Sequence, residues 1–340
     1  MFNRRHLLAG AGAILIASPA VLRAQTKVQR IVVVANRTHE ADGLMAALSN
    51  QMRQNQYLSR PYRLTTTKDA VYPPFPQNGT EPRCLVDIRK EKADTTAIAT
   101  MEIWCIDDLV DAKGDSGIKV TGMGAIVRHG PAPDGVIAFG TAGYPGLASN
   151  DGCATIGGTI FIHDAANDVP GNPGGKWAWQ GKMEKLIPSK TPASFFTGVS
   201  GNSLMLNNIS LEMMVPQNRP ASVLQLMIAP DGVGISSVNI PYVPGSSAGD
   251  TYCAIDTKAV GLARTAGAAN ITSVETTHGV IRSMWEKEDP PFIYVTAIPN
   301  RLCHFSDEAS SIYAQEFPSS HNAGVALKYV IPEFAKAISS

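Results

Sequence analysis

Short runs of apolar residues recur along the chain, and small residues directly follow two of them. Residues 136–139 are four apolar residues in a row, which is typical of a strand buried on both faces of a sheet. Residues 140–143, Gly-Thr-Ala-Gly, predict a backbone turn after that strand. Residues 118–124 show the same order, and we predict a strand that runs into a glycine turn. Because open α/β sheets bind ligands at the carboxyl ends of their strands, both turns are candidate site segments.

The remaining hydrophobic pattern alternates between strand-like and helix-like segments. A polar loop, residues 299–306, is expected between the last strand and the last helix. This alternation is typical of repeated β-α packing and predicts an α/β fold built on a twisted sheet. The other predicted strands are 30–35, 97–106, 271–275 and 291–298, and the predicted helices are 41–51, 252–263, 279–287 and 323–337.

Two glycine- and proline-rich segments interrupt this pattern. Residues 59–82 are expected to lack regular structure. Residues 168–233 predict an insertion that carries Trp177, Trp179, Phe195 and Phe196. Its aromatic side chains could form a lid that stacks on a ring, or the insertion's own small core, and we favour the core.

Composition and charge narrow the class of ligand. The chain has 340 residues, with 29 Lys and Arg against 29 Asp and Glu, so its formal net charge is zero. A neutral chain gives no electrostatic reason to expect nucleic acid or an anionic membrane as partner. We therefore expect a small-molecule ligand.

The amino terminus has the pattern of a signal peptide. Arg4 and Arg5 precede a short run of Ala, Gly, Leu and Ile, which indicates twin-arginine export and cleavage near Ala24. Residues 1–24 are thus predicted to be removed, leaving 25–340 as a single periplasmic or secreted domain that does not bind the membrane. A retained amphipathic anchor is the alternative. The five cysteines are widely spaced, and no disulfide pair is assigned from the sequence.

Polar residues follow the first predicted strand. Arg37, His39 and Glu40 could contact a ligand there, although Asn36, Thr38 or Asp42 could equally be helix caps. Three aspartates, Asp107, Asp108 and Asp111, are interpreted as a solvated turn in preference to a metal cluster.

Four segments together carry a family resemblance. They are residues 121–124 (TGMG), 134–143 (DGVIAFGTAG), 273–281 (SVETTHGVI) and 289–300 (DPPFIYVTAIPN). In this order they resemble motifs of the nucleoside phosphorylase and nucleosidase superfamily. The resemblance implies a mixed, mainly parallel twisted sheet flanked by helices, and cleavage of the N-glycosidic bond of a purine nucleoside or deoxynucleoside.

The chain departs from the family pattern at three polar positions. Thr277 stands where the family has a glutamate that binds ribose hydroxyls. Thr296 replaces an arginine, and Asn300 replaces the aspartate that protonates the purine. An amide can still hydrogen-bond a purine, but it is a poor proton donor. The helix expected after residue 124 must also be shorter than in the family.

The resemblance assigns roles to individual residues. Asn300 would contact the base, and Glu40 or His39 would activate the nucleophile. Both hydrolysis and phosphorolysis are compatible with the resemblance. Phosphorolysis would use inorganic phosphate as co-substrate, with Arg37 as a candidate phosphate-binding residue. No other cofactor is expected. We expect a homo-oligomer. The predicted substrate-binding residues are Thr141, Ala142, Gly143, Glu275, Thr276, Thr277, His278 and Gly124.

Two other functions compete with this one. A nucleoside-binding protein without catalysis would explain the replacements at Thr277, Thr296 and Asn300. A serine hydrolase is suggested by residues 245–249, Gly-Ser-Ser-Ala-Gly, although the first glycine lies one position too early for Ser247 to fit the nucleophile-elbow motif.

Overall fold

A computed structural model describes residues 27–48, 81–89, 96–110, 116–165, 183–200, 203–207, 221–240, 248–285, 287–308 and 315–339. Within these ranges the strands are β1 (Gln29–Ala35), β2 (Cys84–Arg89), β3 (Ala97–Cys105), β4 (Gly135–Tyr144), β5 (Ala154–Gly157), β6 (Thr159–Asp164), β7 (Leu186–Ile187), β8 (Ser203–Asn207), β9 (Ala221–Gln225), β10 (Met227–Ile228), β11 (Gly232–Val238), β12 (Asn270–Glu275) and β13 (Phe292–Arg301). The helices are α1 (Thr38–Leu48), α2 (Ser116–Arg128), α3 (Ala193–Val199), α4 (Ala248–Thr265), α5 (His278–Ser283), α6 (Phe305–Glu308) and α7 (Phe317–Ala337).

Eleven of these strands form one mixed sheet, and β8 and β9 form a separate pair. The main order is β10-β5-β13-β4-β12-β11-β6-β7, and β1, β3 and β2 extend from β4. Parallel pairs include β1 with β3 and β4, β13 with β4, and β11 with β12 and β6. The antiparallel pairs are β12 with β4, β13 with β5, β2 with β3 and β6 with β7. The predicted fold class, a mainly parallel mixed sheet flanked by helices, is confirmed.

The apolar strand residues separate into two cores, one on each face of the sheet. On β1, Ile31 and Val33 belong to the core beneath α1 and α7, whereas Val32 and Val34 belong to the core beneath α2 and α5. Successive side chains of a strand point to opposite faces, so a strand with helices on both sides is apolar throughout. This burial explains why β1 and β4 could be predicted from continuous apolar runs.

Two glycines bring α1 and α7 into close contact. A Cβ on Gly43 would lie 2.5 Å from Ser320 Cβ, and a Cβ on Gly324 would lie 2.7 Å from Ala47 Cβ. Neither position has room for a larger residue unless the helices move apart. The close packing of α1 on α7 affects the candidate site, because the amino-terminal ends of both helices contribute side chains to it.

The prediction for residues 118–124 was wrong, since they lie inside α2 and do not form a strand with a glycine turn. Met123 and Ile126, three residues apart, are fully buried in the core beneath α2, and this packing outweighs the poor helix propensity of the β-branched and glycine residues. Gly124 is therefore a helical residue.

The predicted turn at residues 140–143 was also wrong, because β4 continues through Gly143 to Tyr144. Gly140 is required for a different reason: a Cβ there would lie 2.7 Å from Glu40 Oε1. Likewise β13 extends through Pro299 and Asn300, where a polar loop was expected. Strands 30–35, 97–106 and 271–275 and the helices at 41–51, 252–263, 279–287 and 323–337 are confirmed, with shifted ends.

Part of the predicted insertion can be compared with the structure. Phe195 and Phe196 on α3 are buried in the core beneath α1 and α7, where Phe195 packs edge-on against Phe334. The favoured prediction, a small core of the insertion's own, is therefore wrong for these two rings, since they pack in the main core of the sheet. Trp177 and Trp179, the predicted signal peptide and most of residues 59–82 lie outside the described residues. None of the described helices is long and apolar enough to cross a membrane.

Candidate functional site

A cavity of about 580 Å³ lies where β1, β4, β12 and β13 end. Four stretches that are distant in the sequence meet there, as expected for the carboxyl ends of strands in an α/β sheet. Gly124 is not among the lining residues. The predicted site residues that line the cavity are His39, Glu40, Thr141, Ala142, Gly143, Glu275, Thr276, Thr277, His278 and Asn300.

Glu40 lies on the first turn of α1, and donors surround its carboxylate. Oε2 accepts the backbone N–H groups of Asn36 and Arg37, at 3.0 and 2.8 Å. Oε1 accepts the backbone N–H and the hydroxyl of Thr141, at 2.9 and 3.0 Å. Both oxygens are thus occupied, and the carboxylate joins the β1–α1 turn to the end of β4. Thr141, predicted to bind substrate, donates both its polar hydrogens to Glu40.

Glu275 is the last residue of β12, and only one of its oxygens is engaged. Oε2 accepts the backbone N–H groups of Thr277 and His278, the latter at 2.8 Å. Oε1 is buried without a hydrogen-bond partner and lies 3.8 Å from His278 Nδ1, which also has none. Buried polar atoms in native proteins nearly always have partners. This oxygen is therefore a candidate ligand contact in the described part of the cavity.

Lys119 on α2 hydrogen-bonds to the turn between β12 and α5. Its ammonium group is completely buried and donates to the carbonyl and hydroxyl oxygens of Thr276, at 2.9 and 2.8 Å, and to the Thr277 hydroxyl, at 2.9 Å. Burial lowers the pKa of Lys119 to about 8, against the opposing effect of the Glu275 carboxylate. Thr277 thus binds a protein cation, although the family pattern has a ribose-binding residue at this position.

His39 and Glu316 meet at the junction of α1 and α7. His39 Nε2 lies 3.1 Å from Glu316 Oε2, and both side chains are almost buried at the cavity lining. Burial lowers the pKa of His39. Burial, reinforced by the Glu40 charge, raises the pKa of Glu316 to about 7.

Asn300 lies on β13, where the register with β4 shifts between Ala297 and Asn300. The side chain is mostly buried, and its Nδ2 donates to the backbone carbonyl of Arg301 at 2.7 Å. Thr296, the other replaced position on this strand, is fully buried and donates its hydroxyl to the carbonyl of Gly140. Thr296 is therefore a structural residue, whereas Asn300 reaches the cavity.

The predicted solvated turn at 107–108 is an ion-pair network instead. Asp107 Oδ2 lies 3.4 Å from Arg37 Nε and accepts the backbone N–H of Thr38. Asp108 pairs with the buried Arg83. Asp111 lies outside the described residues. Arg37 is the only arginine or lysine among the described residues of the lining, and Asp107 already neutralises it.

A disulfide joins Cys253 on α4 to Cys303, just after β13, and both residues line the cavity. Asp256, one turn further along α4, also lines it and accepts a hydrogen bond from the Ser237 hydroxyl at 3.2 Å. Burial raises the pKa of Asp256 to about 7. The other three cysteines are buried and form no disulfide.

Four features of the site were missed by sequence reasoning: Lys119, Asp256, Glu316 and the disulfide. A lysine on the apolar face of a helix would have been a signal for Lys119, but residues 118–124 were interpreted as a strand. The remaining three depend on contacts between distant segments. For the serine hydrolase hypothesis, residues 245–247 lie outside the described residues, and His304 is not in the lining.

The chain is similar in fold to several solved structures. They include a 5′-methylthioadenosine/S-adenosyl homocysteine nucleosidase of Helicobacter pylori (11% identity, TM-score 0.47, covering 89% of this chain and 98% of that chain). A 5′-methylthioadenosine nucleosidase of Arabidopsis thaliana has 13% identity and TM-score 0.49, with 89% and 95% covered. A futalosine hydrolase of Helicobacter pylori has 12% identity and TM-score 0.47, with 89% and 97% covered.

No protein-family model and no curated protein matches the chain. The matched structures are two nucleosidases and a hydrolase. At these identities and TM-scores the likeness assigns no activity, so the function has to be argued from this chain's own residues.

Proposed function

We propose that the protein hydrolyses the N-glycosidic bond of a purine nucleoside or deoxynucleoside. The observation that carries the proposal is the unpartnered Glu275 Oε1 in a cavity that also contains Asn300. A carboxylate accepts hydrogen bonds from sugar hydroxyls, and an amide can both donate to and accept from a purine. The cavity volume falls within the range of about 300–1,000 Å³ that is usual for small-molecule sites.

Glu275 would bind the pentose. Its free oxygen and His278 Nδ1 lie 3.8 Å apart, so one hydroxyl that lies to one side of the pair could hydrogen-bond to both atoms. Lys119 holds the neighbouring turn through Thr276 and Thr277, which fixes the orientation of the Glu275 carboxylate. A carboxylate fixed near the sugar also stabilises the positive charge that develops on the pentose in the transition state.

We favour hydrolysis over phosphorolysis on electrostatic grounds. A phosphate nucleophile needs cationic or N–H donors, and the one arginine of the described lining is neutralised by Asp107. The carboxylates of Glu40 and Glu275 line the same cavity and would repel a phosphate dianion. Water is the nucleophile that fits this charge distribution.

The proposal is tested by incubating the purified protein with a panel of purine nucleosides and deoxynucleosides, with and without inorganic phosphate. We expect release of free base and of a reducing pentose without phosphate, and no stimulation by phosphate. Strict dependence on phosphate would indicate phosphorolysis. Binding without release of base would instead support a nucleoside-binding protein without catalysis. The replacement of a proton-donating aspartate by Asn300 favours that alternative.

We also propose that the protein is exported to the periplasm. The twin-arginine pattern at residues 4–5 supports this location, and so does the Cys253–Cys303 disulfide, because disulfides persist in oxidising compartments. Replacing both arginines by lysine should retain the protein in the cytoplasm. Unchanged export of that variant, measured by cell fractionation, would contradict the twin-arginine route.

A further inference from the structure

A hydrolase of this kind needs a base for its water, and Glu40 is poorly suited to that role. A carboxylate acts as a base through a free lone pair close to the water. Glu40 already accepts four hydrogen bonds, two on each oxygen, at 2.8 to 3.0 Å. Taking up a proton would require the loss of at least one of these bonds. Glu40 is therefore a structural residue that joins β1, α1 and β4.

The neighbouring residue offers a better arrangement. His39 precedes Glu40 on the first turn of α1, lines the same cavity, and lies with Nε2 3.1 Å from Glu316 Oε2. Glu316 directly precedes α7, and the close packing at Gly43 and Gly324 holds the two helices together. The close packing of the two helices keeps these two side chains adjacent.

We propose that His39 is the general base of the hydrolysis and that Glu316 is its positioning residue. The inference rests on the proposed function. His39 Nε2 is buried and makes no aligned hydrogen bond, and the nearest carboxylate oxygen it contacts is Glu316 Oε2, 3.1 Å away. A turn of the imidazole ring toward this oxygen lets the carboxylate hold a proton on Nε2, which fixes the tautomer and leaves the lone pair on Nδ1. A histidine oriented by a carboxylate is the arrangement that activates nucleophiles in many unrelated enzymes.

The proposed hydrolysis breaks one O–H bond of water and the C–N bond of the nucleoside. One O–H bond of water breaks and its proton moves to His39 Nδ1, while the water oxygen bonds to the anomeric carbon. The C–N bond breaks, and its electron pair leaves with the purine, which takes up a proton from solvent. The imidazolium then returns its proton to solvent, so the protein ends unchanged.

The electrostatics of the pair agree with this role. Burial keeps His39 neutral by lowering its pKa, and Glu316 has a pKa raised to about 7 by burial. Two other charged groups act on both residues: Glu40 raises both pKa values and Arg37 lowers both. Below pH 7 the protonated Glu316 no longer holds the proton on Nε2. Activity should therefore rise with pH through about 7.

The test compares Glu316→Gln with the wild-type protein and with Glu333→Gln, a matched control on an exposed part of α7. We expect Glu316→Gln to lower kcat by about 100-fold with KM changed less than threefold, since general-base catalysis contributes about 10²–10⁴-fold. The inflection near pH 7 should disappear. His39→Gln should lower kcat similarly, and the double variant should be no worse than His39→Gln alone, because residues that act as a unit are not additive. Glu333→Gln should behave as wild type.

A second measurement separates this inference from the proposed function. Nitrogen NMR of histidine-labelled protein reports the His39 tautomer without any substrate, and we expect a proton on Nε2 that is lost from that position in Glu316→Gln. If wild type cleaves nucleosides and Glu316→Gln retains kcat within threefold, the proposed roles of His39 and Glu316 are wrong, whereas the proposed hydrolysis is supported. If wild type cleaves none, the hydrolase and the base role both fail, whatever the NMR shows. A proton on Nδ1 of wild-type His39 at pH 8 would overturn the proposed tautomer.

Discussion

Glu40 and Glu275 line one cavity and accept similar backbone hydrogen bonds, but the number of donors around their carboxylates differs. Glu40 and Glu275 each accept two consecutive backbone N–H groups at the start of a helix, Glu40 at α1 and Glu275 at α5. Glu40 also receives both polar hydrogens of Thr141, whereas Glu275 Oε1 receives none. Their burial is similar, so solvent access does not separate them.

The difference teaches that the number of donors around a carboxylate decides its role. A carboxylate whose oxygens are all engaged stabilises the fold, and removing it leaves buried donors unpaired. A carboxylate with a free oxygen has capacity for a ligand. Two parts of the cavity lining also differ in how they are held, since the Glu40 carboxylate acts through hydrogen bonds, whereas a covalent link joins α4 to Cys303 just after β13.

The largest effect is expected from removing that covalent link. Cys253→Ser with Cys303→Ser should lower the free energy of unfolding by about 4 kcal/mol, from the loop entropy of a 50-residue separation. Urea unfolding with and without a phosphine reductant measures this. The reductant should destabilise wild type and leave the double variant unchanged. Equal midpoints for both proteins in both conditions would show that the link does not support this part of the lining.

The second largest loss of stability is expected from replacing Glu40, whose two carboxylate oxygens both accept hydrogen bonds. Glu40→Gln places an amide NH₂ against donors of Asn36, Arg37 or Thr141, so two buried donors lose their acceptor. We expect a loss of about 3 kcal/mol in the free energy of unfolding. If Glu40→Gln instead unfolds at the wild-type urea concentration but loses kcat, Glu40 is a catalytic group, and the contrast with Glu275 is wrong.

A third effect is the pH dependence of stability caused by Asp256. Its pKa is about 7 in the folded protein, because of burial, and about 3.9 in an unfolded chain. The folded state therefore binds the proton more tightly, so the stabilisation is complete below about pH 4 and is lost as pH rises through 7. Between pH 5 and 7 this amounts to about 2 kcal/mol.

Asp256→Asn removes this titration and keeps an acceptor for Ser237. Its stability should fall less than that of wild type between pH 5 and 7, as measured by urea unfolding. Both proteins should still lose some stability in this pH range, because two other carboxyl groups, Asp151 and Glu316, also have pKa values raised to about 7 in the folded state. Parallel curves for the two proteins would show that Asp256 does not hold its proton in the folded state.

The sequence allowed the local parts of this fold to be predicted. Strands β1, β4 and β13 contain continuous apolar runs because helices cover both faces of the sheet. The turn after β1 and the ends of β12 and β13 bring His39, Glu275 and Asn300 to one cavity. Residues 118–121 of α2 alternate apolar and polar side chains in the same way as a strand, which is why the pattern predicted a strand there. Only the packing of Met123 and Ile126 on the sheet distinguishes that helix from a strand.

The roles of the polar residues could not be predicted, because they depend on distant partners. Glu40 is saturated by Thr141, which lies 101 residues away in the sequence. Glu316 lies before a helix that was expected to begin at residue 323, although Pro318 is well tolerated in a first helical turn. These contacts arise from the packing of α1 on α7 and of β4 beside β1, which no local pattern contains.

The smallest effect on folding, and the sharpest test of the contrast, is expected from Glu275→Gln. The amide oxygen can still accept the N–H groups of Thr277 and His278, with the NH₂ group at the former Oε1 position, so the free energy of unfolding should change by less than about 1 kcal/mol. An NH₂ group cannot accept a hydrogen bond from a hydroxyl. Nucleoside affinity, measured by calorimetry, should therefore fall about tenfold, and loss of the charge near the pentose should lower kcat further. A variant that binds as wild type does would show that the free oxygen of Glu275 serves no ligand.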